Sequence, residues 1–158
     1  MIPHCWEHTI LPMKKERFGR VLAVDYGKKR VGLAWSDEMR LVVTPLKAFD
    51  NDETLMQRLI SLIKENNVTE VVFGIPIRMS GEEGEIAEEI REFAHELSKR
   101  VPGVVVDFFD ESLTSKDAET LFRAKHGRHP VGKKDKYLVD SYSAAILLEE
   151  FLRRDEDF

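Results

Sequence analysis

A chain of 158 residues with 42% hydrophobic and 34% charged side chains is sized for one globular core, since a domain of about 150 residues buries about 70% of its unfolded-chain surface. A single cysteine, Cys5, excludes an internal disulfide, and no run of about eighteen apolar residues is present to cross a bilayer, so the expected compartment is the cytoplasm. The formal charge of -5 excludes a uniformly basic nucleic-acid binder but leaves local basic patches open, because binding follows local potential. Residues 1–19 have no continuous apolar core of a secretory signal and no clear periodicity. They read as a poorly ordered extension, with Met13 as an alternative start. A single domain is expected over 20–153, followed by an acidic tail at 154–158.

Arg20 to Asp25 (RVLAVD) and Arg30 to Trp35 (RVGLAW) are short apolar runs joined by Tyr26-Gly27-Lys28-Lys29, which predicts a hairpin. Leu41 to Leu46 predicts a third strand and hence a three-stranded antiparallel meander. Thr54 to Asn66 places Leu55, Leu59, Leu62 and Ile63 on one helical stripe, with Asp50, Asn51 and Asp52 as candidate N-caps. Val68 to Ile75 (VTEVVFGI) is β-branched enough for a buried central strand, and the helix before it supplies a crossover to a parallel neighbour. Glu82 to Lys99 is again amphipathic through Ile86, Ile90, Phe93, Ala94 and Leu97, with acids early in the helix. Val104 to Phe109 predicts the last strand, running into Asp110 and Glu111. A short helix capped by Thr114 or Ser115 reaches Arg123, and a final helix opens at Asp135 or Lys136 and reaches Arg153. The order β-β-β-α-β-α-β-α-α predicts an α/β fold with a mixed five-stranded sheet, three strands antiparallel first and two parallel later.

Three acids stand out: Asp25 at the end of one apolar run, Glu111 at the end of another, and Asp140 inside a largely apolar helix. A buried carboxylate needs compensation, and several around Mg²⁺ or Mn²⁺ obtain it from the cation. Two such ions about 3.5–4 Å apart support hydrolysis of a phosphodiester. Spacing alone leaves a second account open, in which Asp25 caps a hairpin, Glu111 caps the next helix and Asp140 pairs with a lysine. No two of the five histidines share a helix face at ligand spacing, which argues against zinc.

The segments VDYGKKRVGLAWSD, VVFGIPIRMSGEEG, DESLTSKDAE and KYLVDSYSAAILLEEFL resemble, in order from Arg20 to Leu152, the signature segments of the YqgF/RuvX family. The resemblance implies a ribonuclease-H-like fold, kinship with Holliday-junction resolvases, a part in maturing the 5′ end of pre-16S ribosomal RNA, and a divalent metal, Mg²⁺ or Mn²⁺. It places the family's acids on Asp25, Glu111 and Asp140 as catalytic and metal-holding residues. The chain departs from the family pattern at Lys28, at Ser80 and at Ser112; serine at 112 cannot grip a phosphate with two donors as an arginine would.

Basic residues gather at Lys28, Lys29 and Arg30 beside Asp25, and along Arg123, Lys125, Arg128, Lys133, Lys134 and Lys136. With Arg78, ahead of a Gly-x-x-Gly loop at Gly81 and Gly84, they form the candidate nucleic-acid contacts, to structured RNA by preference and branched DNA otherwise. Two other functions remain open: a nucleotide-dependent phosphotransferase, disfavoured by a chain with room for one lobe and no P-loop, and a non-catalytic RNA-binding assembly factor.

Overall fold

The computed structural model describes residues 18–77, 84–111 and 115–156. Five strands and four helices follow in order: β1 (Arg20–Tyr26), β2 (Arg30–Ser36), β3 (Val43–Asp50), α1 (Leu55–Glu65), β4 (Val68–Pro76), α2 (Ile86–Arg100), β5 (Val105–Glu111), α3 (Ser115–His126) and α4 (Gly132–Glu156). The strands form one sheet in the order β3-β2-β1-β4-β5. The pairs β1–β2 and β2–β3 are antiparallel, and β1–β4 and β4–β5 are parallel. The parallel half follows from the crossover helices α1 and α2, each of which returns the chain to the same end of the sheet.

Strand alternation sends successive side chains to opposite faces and so divides the interior in two. Leu22, Val24, Val31, Leu33, Val71 and Phe73 pack with Leu59 and Ile63 of α1 and with Ile90, Ala94 and Leu97 of α2. Val21, Ala23 and Val72 pack on the other face against Leu147, Leu148 and Phe151 of α4. Ala34 meets Ala144 and Ala145 of the same helix. On its far side, α4 buries Val139 and Tyr142 against Ala118 and Phe122 of α3. A helix buried on two sides shows no clean apolar stripe.

Several boundaries differ from expectation. The third strand begins at Val43 and runs to Asp50, beyond the predicted Leu41 to Leu46. Leu41 and Val42 are exposed turn residues, because the Asp37 carboxylate accepts their backbone N–H groups at 2.7 Å each and also that of Met39 at 3.3 Å. Arg40, with φ 61°, turns inward from this loop to pair with buried Glu70 at 2.9 Å. Helix α1 starts after Thr54, with no side-chain cap; Asp52 holds Thr54 instead, Asn51 Nδ2 donates to the carbonyl of Gly27, and Asp50 accepts from the hydroxyl of Tyr137.

Helix α4 opens at Gly132, earlier than predicted, because Asp135 reaches back to the N–H of Val131 at 2.9 Å and satisfies an otherwise orphaned donor. It also extends to Glu156, into the stretch read as a tail. The N-terminal 17 residues, Arg78, Ser80, Gly81, Ser112 and Thr114 lie outside the described residues.

Candidate active site

The site lies where β1, β5 and α4 meet on the α4 face of the sheet. Val21 and Ala23 point to this face, so Asp25, two residues further along β1, points there too. Its cross-strand partner on β2 is Gly32. A Cβ at Gly32 would stand 2.0 Å from the backbone oxygen of Asp140, so a glycine is what allows α4 to lie directly on β2. This contact brings Asp140 beside Asp25.

Glu111 arrives from the other side. Val24 is in register with Phe73 of β4, which puts Gly74 next to Asp25, while Glu111 at the end of β5 aligns with Pro76. A Cβ at Gly74 would lie 2.7 Å from Glu111 Oε2 and 3.1 Å from Leu147 Cδ2. The Glu111 carboxylate therefore occupies the space that Gly74 leaves open and reaches toward Asp25.

The electrostatics report the same convergence. Burial, reinforced by the negative charge of Asp140, raises Asp25 to about 7, and burial together with the charge of Asp25 raises Glu111 to about 8. Both side chains keep a partial opening to solvent. Asp140 has a positive partner: Arg30 Nε donates to its Oδ2 at 2.5 Å, and the guanidinium also stands 5.8 Å from the ring of Tyr137. Asp25 is thus no hairpin cap, and Asp140 pairs with an arginine across the sheet, not with a lysine. Among the described residues no group of three or more His, Cys, Asp or Glu side chains stands in an arrangement that could hold a metal ion.

The basic residues divide. Lys28 and Lys29 are exposed at the β1–β2 turn, next to the acids, while Arg30 is held by Asp140. Arg128 forms a two-pronged pair with Asp135, at 2.6 and 3.3 Å, and so serves the start of α4. Lys125 stands 5.7 Å from the ring of Tyr142, and Lys133 lies at the same distance from Tyr137. Arg123, Lys134 and Lys136 are exposed. Three contributors were missed by the sequence reading: Gly32, Gly74 and Tyr137. An isolated glycine within the apolar run RVGLAW was a usable sign of close backbone approach; nothing in the sequence singles out Tyr137.

A mixed sheet with carboxylates at the ends of the first and last strands and on the helix that covers them defines the ribonuclease-H-like class of folds. The chain belongs to the RuvX family, described as Holliday junction resolvase, whose profile matches residues 19–154. It is 37% identical over 137 residues to a "Putative pre-16S rRNA nuclease" of Sulfurihydrogenibium sp. (strain YO3AOP1), covering 85% of this chain and 90% of that protein. It is also 37% identical over 135 residues to one from Porphyromonas gingivalis (strain ATCC BAA-308 / W83), covering 85% and 96%. Among solved structures, the Fowlpox virus resolvase with Holliday junction DNA superposes with a TM-score of 0.56 at 14% identity, covering 85% of this chain and 97% of that one. Thermus thermophilus RuvC with a Holliday junction substrate gives 0.54 at 15% identity, covering 87% and 96%. At these identities the superpositions speak for the fold.

Proposed function

We propose that this protein is a cytoplasmic, metal-dependent nuclease that hydrolyses phosphodiester bonds in structured nucleic acid, with pre-16S ribosomal RNA as its substrate and Asp25, Glu111 and Asp140 as its catalytic acids. The observation that carries this reading is the convergence of three carboxylates from three separate elements, with Asp25 raised well above ordinary carboxylate values by burial and the charge of Asp140, and Glu111 by burial and the charge of Asp25. A structural role does not call for such an arrangement, since like charges brought together out of water oppose folding. The names of the relatives supply the RNA substrate. No described helix is long and apolar enough to cross a membrane.

The donor set suits Mg²⁺ or Mn²⁺: three carboxylates, with no thiolate or imidazole among the described residues acting on them. Such an ion, when bound, supplies the positive charge the acids lack and Lewis-acid polarisation of the scissile phosphodiester. Asp25 and Glu111 would hold it from the sheet and Asp140 from the helix, with Arg30 neutralising Asp140 and fixing its orientation. The buried Ser141 hydroxyl is engaged with the backbone oxygen of Leu46, so no protein nucleophile is assigned and water takes that part. Lys28 and Lys29 offer exposed positive charge for phosphates flanking the cut.

A second substrate, branched DNA, is favoured by the family description. Purified protein is therefore incubated with labelled pre-16S RNA and with a four-way DNA junction in Mg²⁺ or Mn²⁺, beside Asp25→Asn and Asp140→Asn. Metal-dependent cutting of the RNA, lost in both variants, is the expected result. Junction cutting in its place would make the chain a resolvase, and binding without any cutting would make it an assembly factor.

A further inference from the structure

Next to Asp140, between β3 and the first turns of α4, lies a cavity of about 410 Å³ whose walls are mostly apolar. Leu46, Tyr137, Leu138 and Tyr142 line it, and Lys47 and Lys134 stand at its rim. We propose that this cavity is a subsite for one unpaired nucleobase of the substrate, flanking the phosphate that is cut. The proposal rests on the nuclease reading and deepens it by assigning the site a requirement for single-stranded character.

Position is the first argument. Tyr137 precedes Asp140 by one helical turn and Ser141 follows it directly, so cavity wall and catalytic acid share one stretch of α4. Arg30 bridges the two, bonded to Asp140 and lying near the Tyr137 ring. A nucleotide next to one held at the acids would meet this opening.

Chemistry is the second. The volume falls in the range of about 300–1,000 Å³ typical of small-molecule sites, and apolar walls with two tyrosine rings suit a flat aromatic base. The exposed lysines make no ion pair among the described residues, which leaves both available for the phosphates on either side of the base. Among the described residues strand β3 is the edge of the sheet and pairs only with β2, so its outer backbone groups, apart from the Leu46 carbonyl that Ser141 occupies, can bond to the polar rim of a base.

Rigidity is the third. Ser141 ties α4 to the carbonyl of Leu46, the Tyr137 hydroxyl is bonded to Asp50, and the Tyr142 hydroxyl lies 3.1 Å from His126 Nε2. A preformed cavity loses little freedom on filling. A base locked in a duplex cannot enter it; one from a single strand, loop or bulge can.

The test uses the full-length protein and an RNA with a stem and a single-stranded tail, in which 2-aminopurine and, separately, an abasic residue are moved one position at a time across the cut. With cleavage-dead Asp25→Asn protein, 2-aminopurine emission should change strongly at one tail position. With wild-type protein, the abasic residue at that position should raise KM by about five- to a hundredfold, the range for loss of one stacked base. Leu138→Trp, which fills the cavity, should abolish the emission change, and Lys47→Glu on the exposed rim should weaken binding without any risk to the core. Equal KM at every abasic position, with no position-specific emission change, overturns the subsite while leaving the nuclease intact. Absence of RNA binding and cleavage by the wild-type protein overturns the nuclease reading and the subsite with it.

Discussion

Replacing Asp25 with asparagine should stabilise the metal-free protein at alkaline pH while abolishing cleavage. In the folded chain this carboxyl is raised from 3.8 to about 7, so protonation favours the folded state. Its stabilising contribution is complete below about pH 4, declines as pH rises toward 7, and is gone above that. About three pKa units correspond to about 4 kcal/mol as a ceiling. Asparagine carries no charge and avoids that loss, although its amide needs hydrogen-bond partners and forfeits about 1–3 kcal/mol where it lacks them. A net gain of about 2 kcal/mol remains, or about 6 °C in Tm for a domain of this size. Thermal unfolding in chelator should show the gap at about pH 8 and its reversal at about pH 4.5, where the wild-type loss is only about 1 kcal/mol and the variant becomes the less stable by a similar amount. Saturating Mg²⁺ or Mn²⁺, at about a hundredfold above Kd, should then return about 2.7 kcal/mol to the wild type and little to the variant. An asparagine variant less stable than wild type at the alkaline end, or equally offset at both ends, would refute the argument that the acid is destabilising in the absence of a cation.

The two glycines at the site should behave differently. Gly32→Ala sets a new Cβ against the backbone of α4, which no rotamer change relieves, and should cost about 3 kcal/mol in urea unfolding; a cost below about 1 kcal/mol would mean the helix shifts freely. Gly74→Ala meets the movable end of Glu111, so stability should fall by less than about 1.5 kcal/mol while kcat drops by about a hundredfold; full activity would remove Glu111 from the site. At the other end of the sheet, Arg40→Ala removes the guanidinium that donates to buried Glu70 at 2.9 Å and should cost about 1–3 kcal/mol, with the cleavage rate per folded molecule unchanged. The Asp135 carboxyl is lowered to about 2, chiefly by its bond from Arg128, so its contribution is present above about pH 4 and is lost as pH falls toward 2. Arg128→Ala should therefore move the midpoint of acid unfolding upward, and an unmoved midpoint would deny the clamp.

The sheet was legible because β1, β2 and β4 are nearly continuous apolar runs, and the acids because they interrupt or end such runs. Strand β3 was misplaced for a local reason: Asp37 converts the apolar Leu41 and Val42 into turn residues, while Pro45, Lys47 and Asp50, poor strand formers in general, are tolerated on an edge strand. The roles of Arg30 and Arg128 were beyond sequence reasoning. A cation beside an acidic site looks like a phosphate contact until the fold shows a carboxylate already bonded to it, and for Arg30 that carboxylate lies 110 residues away. The cavity between β3 and α4 was likewise hidden, since it is made by two elements that no local pattern relates.

The contact of α4 with β2 through Gly32 also determines when the site exists. Asp25 and Gly32 can pair as soon as the first hairpin forms, yet the third acid takes its place only after the last helix has crossed the whole sheet and settled on that glycine. Closure of so long a loop is slow compared with hairpin formation, so a chain whose last helix has not docked would carry scattered acids and no assembled site. On the proposed reading of the three acids, hydrolytic competence is thereby a readout of completed folding, and a chain arrested part-way cuts no nucleic acid.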